Sequence, residues 1–409
     1  MPNSIFIISH NNHAFLQSEL IRASESFEHV LFLAPYGTIS QSVLNELKNV
    51  SWYSFNREKL KTSSIYSLRH LCEQQVKEEL FGAIAYRKFN LAYFKEFIFY
   101  LAFRDLVQKV ATEYGVLENA DKWKVLSMWY AADAYAANCL KSKSPRLSIS
   151  SLVHSYEVDP AKNEFIFRLF RREYHDSFEL VSFISAHVKD AYIENVAIPL
   201  SLRQDNISVC HLGIDKLEDG FCARSNDGVF RILSCSHIVP VKRIELLFEA
   251  LEQYSDCPIE WFHIGSGPDL NLFRDKANRC TNPHLSITFL GSLPNEDIHR
   301  FYVRHPIDLF VNVSKSEGVP VSIMEAIAYG VPVLATNVGG NSEIVQPDFG
   351  CLLSADPLPL QIWKKIKLFA CMPQNEIEAA RKSARAYFAE QYDSKLIRKS
   401  FYQRLKEKA

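Results

Sequence analysis

Two glutamates eight positions apart, Glu317 and Glu325, stand in the run Ser314–Thr336 with Gly318 and Pro320 between them. Apolar segments flank the run, Ile307–Val313 and Val331–Ala335, and both read as short buried strands. The residues between them read as a helix, with Ser316 or Glu317 at the cap, Pro320 near the first helical position and Gly330 at the end. At about 100° per residue, Ile323 and Ile327 point opposite Glu325, whose face Val321, Ser322 and Tyr329 share. The apolar face is expected on a sheet, which leaves both carboxylates looking toward the helix's amino end. There the exposed amides of Gly318, Val319 and Val321 and the positive end of the dipole form an anion site. Taken alone, the run also fits a plain capping acid and a second acid on a solvated face.

The whole pattern Glu317-Gly-x-Pro-x4-Glu325 resembles the donor-binding signature of the retaining glycosyltransferases of family 4, the group 1 glycosyl transferases. That resemblance implies the GT-B fold, an α/β architecture of two facing Rossmann-like domains with a cleft between them and a C-terminal helix crossing back to the first. It implies that Glu325 holds the ribose hydroxyls of a nucleotide sugar and that Glu317 holds the sugar hydroxyls near the anomeric carbon. Gly318, Val319, Pro320 and Val321 would line the donor diphosphate.

Other segments fit the same family. In Arg231–Arg243, a strand running into a basic turn, Lys242 matches the family's diphosphate-clamping lysine. His237 stands where the family has an arginine, and Arg243 is a second cation beside the lysine. The strand Trp261–Ile264 runs into Gly265-Ser-Gly267; Leu270 holds the third glycine position of a dinucleotide fingerprint, which argues against a nicotinamide cofactor. In the family this loop and the one matching Leu290, Ser292 and Leu293 surround the base. Ser151–Glu157 resembles the family's His-Gly-Tyr-Asp turn, with Ser155 and Glu157 replacing glycine and aspartate, and it makes His154 a candidate contact to the transferred sugar or acceptor. The first turn, His10–Ala14, lacks the family's glycines, and Asn11 and Asn12 can adopt unusual backbone angles in their place.

The elements that must position these residues alternate. At 409 residues the chain is too long for one core, and 47% hydrophobic content is enough for two. A net charge of −1 gives no ground for a nucleic-acid partner. Nine scattered cysteines without metal or redox spacing suggest reduced thiols. No Asp-x-Asp pair, zinc spacing or P-loop is present, and no metal or other cofactor is expected. The N-terminus lacks a signal-peptide pattern and no segment approaches about 20 apolar residues, so the expected location is cytoplasmic, including the inner face of the cytoplasmic membrane.

Strands are expected at Ser4–Ser9, His29–Ala34, Ser51–Phe55, Ser148–His154 and Leu180–Ser185, with helices at Ala14–Ala23, Lys124–Leu140, Glu164–Phe178 and Ala186–Asn195. The resulting domains are 1–217, with a helical insertion at about 64–113, then 228–385 after the linker Asp215–Gly228, and a charged helix, about Asn375–Lys408, whose last part (386–409) returns to the first domain. Tyr86–Arg104 interleaves aromatics with cations; it reads as a buried or dimer-forming helix pair, or as a surface for a bilayer or a lipid-linked acceptor. Lys162, Arg168, Arg171 and Arg172 can add a basic patch. The expected activity is metal-independent transfer of a sugar from a UDP- or GDP-sugar to a hydroxyl of a glycan or lipid-linked acceptor in surface polysaccharide synthesis, with retention. A nucleotide-sugar epimerase and a non-catalytic partner subunit are the alternatives.

Overall fold

A computed structural model describes residues 3–11, 15–63, 69–85, 90–158, 174–198 and 201–407. The chain divides into two compact units, Met1–His211 with Lys395–Ala409, and Leu212–Ser394. Each unit is built on a parallel sheet.

In the first unit the strands are β1 (Ser4–Ile8), β2 (His29–Pro35), β3 (Val50–Phe55), β4 (Trp123–Ser127), β5 (Ser148–Val153), β6 (Leu180–Phe183) and β7 (Ile207–Val209). They lie in the order β3-β2-β1-β4-β5-β6-β7, all parallel. β1 is buried along its whole length, as a central strand covered on both faces must be. The expected helix from Lys124 is replaced at its start by β4, and the helix begins only at Ala132 (Ala132–Lys143). The residue that disguises the strand is Lys124. It is buried with its Nζ 2.9 Å from Ser148 Oγ, and burial lowers its pKa. Pairing with β1 and β5, remote in sequence, overrides the local preference.

The 23-residue helix Leu91–Glu113 buries Tyr93, Phe97, Phe99, Tyr100 and Phe103, so the aromatics it contributes are core, not a bilayer surface. Its Arg104 is buried too, paired with Glu73 at 2.7 Å. Residues 86–89, the basic cluster 162–172 and most of the helix expected at Glu164–Phe178 fall outside the described residues, as do Asn12 and the two residues after it.

The second unit contains β8 (Phe230–Cys235), β9 (Ile259–Ile264), β10 (Leu285–Gly291), β11 (Leu309–Asn312), β12 (Val333–Thr336) and β13 (Gly350–Leu353), parallel in the order β10-β9-β8-β11-β12-β13. Asp215–Gly228, expected as a linker, holds no helix or strand but packs on this unit: Cys222 is in its core, its amide donates to Tyr329 O at 3.0 Å, and Arg381 donates to its carbonyl.

The single C-terminal helix expected from the charge pattern is two helices, Gln374–Gln391 and Ser394–Glu407. They break at Tyr392–Asp393, where Ile214 donates to Tyr392 O (3.0 Å) and accepts from Ser394 N (3.1 Å). The first helix sends Ala380, Ala384 and Phe388 into the second unit's core. The second sends Phe401, Tyr402 and Leu405 into the first unit's core, where Tyr402 meets Phe27 edge-on with ring centroids 5.5 Å apart.

Candidate functional site

In the second unit the strand order reverses between β8 and β11, and ligands of open α/β sheets bind beyond the carboxyl ends of such strands. β8 leads into a loop ending in the short turn Pro240–Lys242, and β11 leads into the loop before the helix Val321–Ala328. The Lys315 amide donates to Val241 O at 2.8 Å and ties these loops together. Lys242 Nζ then lies 2.6 Å from Glu317 Oε1. The same carboxylate oxygen accepts from Ser314 Oγ (2.6 Å) and Asn312 Nδ2 (3.1 Å). Two residues singled out from motif position alone, 75 apart in sequence, thus form one charge pair. Asn312 and Ser314, which hold Glu317, carry no sequence signal beyond standing at a strand end.

Arg243 is committed elsewhere. Its guanidinium donates to Val313 O, Ser314 O, Ala355 O and Asp356 Oδ1 at 2.7–2.9 Å, and its backbone is left-handed (φ 50°). It braces the loop that carries Glu317 and is not available to share the work of Lys242. His237 is exposed, with Nδ1 3.4 Å from Ser266 O.

Gly265 and Gly267 are required by backbone packing. A Cβ on Gly265 would fall 1.9 Å from Ser236 O, and one on Gly267 2.1 Å from Ile238 O. Gly265 also has φ 142°, which side chains disfavour. Gly265→Ala is therefore expected to destabilise the protein by about 3 kcal/mol, from backbone strain and clash together. Chemical denaturation checks this, and a loss below about 1 kcal/mol would show that the β8 loop yields freely. Ser292 Oγ meets Ser266 Oγ at 2.6 Å, while Leu290 and Leu293 pack partly buried on the core.

The Glu-Glu segment corrects the sequence reading in one respect. The helix Val321–Ala328 starts after Pro320, as expected, but it is buried around its axis: Ile323, Met324, Glu325, Ala326, Ile327 and Ala328 are all covered. Glu325 does not face solvent toward the helix's amino end. The helix Asn295–Arg304 and Tyr329 close over it, with Tyr329 stacked on Tyr302 at 5.2 Å. Glu325 Oε1 accepts from Asn295 Nδ2 at 2.9 Å and has His299 Nε2 at 4.0 Å. Burial raises the Glu325 pKa to about 7, while burial lowers that of His299 to about 4, so the imidazole is neutral and does not offset the carboxylate.

A raised folded-state pKa for an acid means that the native chain holds a proton the unfolded chain releases. Stability contributed by protonated Glu325 is present at low pH and lost as pH rises from about 4.5 through about 7. Glu325→Gln is expected to flatten that fall in thermal melts taken from pH 5 to 8. An unchanged slope would place the titration elsewhere.

Gly339 and Gly340, after β12, approach the Glu317 loop closely, and the sequence reading did not single them out. A Cβ on Gly339 would lie 1.9 Å from Glu317 O and one on Gly340 2.4 Å from Gly318 O. The Gly340 amide donates to Gly318 O at 2.9 Å. The loop thereby supports the backbone on which Glu317 and Gly318 sit, and an adjacent Gly-Gly after a strand was the available signal.

His154 belongs to the first unit, at the carboxyl end of β5. Its ring is 4.3 Å from that of Trp129 and 5.3 Å from that of Phe15, its Nε2 is 3.1 Å from Met128 O, and its amide donates to Glu157 Oε2 at 2.8 Å.

Residues 216–386, nearly all of the second unit, match the family model for glycosyl transferases group 1. The second unit is a group 1 glycosyltransferase domain. Over 121 residues the chain is 33% identical to the O-antigen biosynthesis glycosyltransferase WbnH of Escherichia coli, covering 29% of this chain and 31% of that one. Over 130 residues it is 31% identical to the lipopolysaccharide core biosynthesis mannosyltransferase LpsB of Rhizobium meliloti (strain 1021), covering 30% and 36%. The chain thus spans about a third of the length of these curated relatives. Among solved structures, the lipopolysaccharide outer core galactosyltransferase WaaB in its apo form superposes with a TM-score of 0.67 at 14% identity, covering 99% of this chain and all of that one. Anabaena HepE in complex with UDP-glucose gives 0.64 at 15% identity over 99% of both chains. The fold that carries the group 1 domain is GT-B.

Proposed function

We propose that the protein is a retaining glycosyltransferase that moves a sugar from a nucleotide-diphosphate donor to a hydroxyl of a glycan or lipid-linked acceptor in surface polysaccharide synthesis. The observation that carries the reading is the Lys242–Glu317 pair at the switch point of the group 1 domain, beside the amino end of the helix Val321–Ala328. As the glycosidic bond breaks, negative charge grows on the diphosphate. An ammonium and oriented amides already in place stabilise it without reorganisation, and no metal enters the proposal. Donor binding separates the pair: Lys242 turns to a phosphate oxygen and Glu317 to sugar hydroxyls. Asn312 and Ser314 keep the freed carboxylate in position. For Glu325 to accept from the ribose hydroxyls, the donor must displace the Asn295 amide that covers it in the free protein.

HepE's UDP-glucose supports a UDP-sugar as donor here, and the relatives in O-antigen and lipopolysaccharide core synthesis support a surface-glycan acceptor. Among the described residues no helix is long and apolar enough to cross a membrane, so contact with a bilayer-borne acceptor is peripheral in this proposal. Screening UDP- and GDP-sugars by thermal shift, then measuring transfer with the stabilising donor, tests the reading. A donor that raises Tm and is consumed only when acceptor is present supports it. Conversion of the donor to another sugar nucleotide without acceptor would replace it with epimerisation.

A further inference from the structure

The last helix of the first unit, Ser394–Glu407, carries two different faces. At about 100° per residue, Arg398, Phe401, Tyr402 and Leu405 share one side, and all four are buried. Lys395, Lys399, Gln403 and Lys406 follow one another at helical-turn spacing, so they form a single row beside that buried side. From Lys395 to Lys406 the row is about 16 Å long. With the end of the helix Phe15–Ser26 it lines a groove of about 630 Å³.

Arg22 and Glu25 supply the groove's other wall, and the two pair at 2.9 Å. Four cations and one carboxylate thus line it, on a chain whose net charge is −1. Lys395 and Lys399 are exposed. Lys406 is anchored, its ammonium donating to Ser26 O and lying 4.7 Å from the centre of the Phe27 ring. Leu396, 56% exposed, stands one turn from Lys399 and two from Gln403 on the same side of the helix. All these residues belong to the first unit, and the donor site uses none of them.

The charge suits phosphate-bearing anions. Lysines are flexible point charges, fitted to phosphates at varying positions more than to a planar group read by a fixed fork. A row about 16 Å long meets several phosphates at once, as a layer of headgroups presents them. The exposed leucine beside it gains only from a partner with an apolar layer beneath its charge. A dissolved phosphate or a nucleic-acid backbone offers the charge without that layer.

We propose that this groove docks the first unit on a bilayer containing anionic phospholipids. Headgroup phosphates sit between the lysine row and Arg22, and Leu396 enters the acyl boundary. The inference goes beyond the transferase reading and is tested without turnover.

The test sediments the full chain with vesicles of phosphatidylglycerol and phosphatidylcholine in equal parts, and with vesicles of phosphatidylcholine alone. Binding is expected to the first only, and to weaken as salt rises. A basic side chain near an anionic surface strengthens binding about fivefold, so Lys395→Gln/Lys399→Gln should weaken it about 25-fold. Both side chains are exposed, so Tm and donor Kd should not change. Leu396→Ser should weaken binding about tenfold while keeping the salt dependence. Wild-type protein that stays in solution with the anionic vesicles overturns the proposal. So does a double variant that sediments like wild type, which would put the docking surface elsewhere. Release of the protein by inorganic phosphate, with Leu396→Ser binding like wild type, would mark a site for a soluble anion instead. Retention of an RNA oligonucleotide but not of vesicles would assign the row to nucleic acid. Failure to dock leaves the transferase reading standing, and a protein that docks yet transfers no sugar removes that reading alone.

Discussion

Lys242→Ala is expected to lower sugar transfer about 10²–10³-fold while the protein stays folded. The magnitude follows from removing one preorganised donor to a developing anion, worth about 3–4 kcal/mol in a water-excluded site. Folding should survive because Glu317 keeps Ser314 Oγ and Asn312 Nδ2 as partners after the ammonium is gone. The side chains of Lys242 and Glu317 are 23% and 9% exposed, so solvent also reaches the freed carboxylate to a degree. Because the two residues act as a unit, Lys242→Ala/Glu317→Ala should be little worse than either single variant. Transfer assays with far-UV circular dichroism check both statements. Wild-type turnover by Lys242→Ala would remove the diphosphate role.

Arg398→Ala is expected to cost about 3–5 kcal/mol of stability, the largest effect anticipated away from the donor site. Arg398 is on the last helix, buried, with Nε 2.8 Å from Glu19 Oε2 and Nη1 3.3 Å from Cys210 Sγ. Glu19 is buried in the helix Phe15–Ser26 and also accepts from Tyr402 OH. Removing the guanidinium strands the carboxylate in the core, whereas replacing both by methionine removes the penalty as well as the attraction. Glu19→Met/Arg398→Met should therefore recover most of the loss in denaturant unfolding. A single variant that loses under about 1 kcal/mol would show that Phe401, Tyr402 and Leu405 hold the helix without the ion pair.

Much of the architecture was legible because it is local. Apolar runs bounded by turn residues marked nine of the thirteen strands described, and the Glu317–Glu325 spacing marked the loop and helix that follow β11. What escaped was set by partners far along the chain. β4 reads as helix until β1 and β5 flank it and Lys124 finds Ser148. Glu325 reads as solvent-facing because nothing in its own helix reveals that Asn295 and Tyr302 will cover it. Arg243, next to Lys242, looks like a second phosphate ligand until Asp356 and three carbonyls claim it.

A crystal of the protein grown with its nucleotide-sugar donor tests the central claim most directly. The account predicts a diphosphate oxygen within about 3 Å of Lys242 Nζ, the Lys242–Glu317 contact opened, and the phosphates at the amino end of the helix Val321–Ala328. A donor bound with its phosphates elsewhere, and with Lys242 still paired to Glu317, would contradict it.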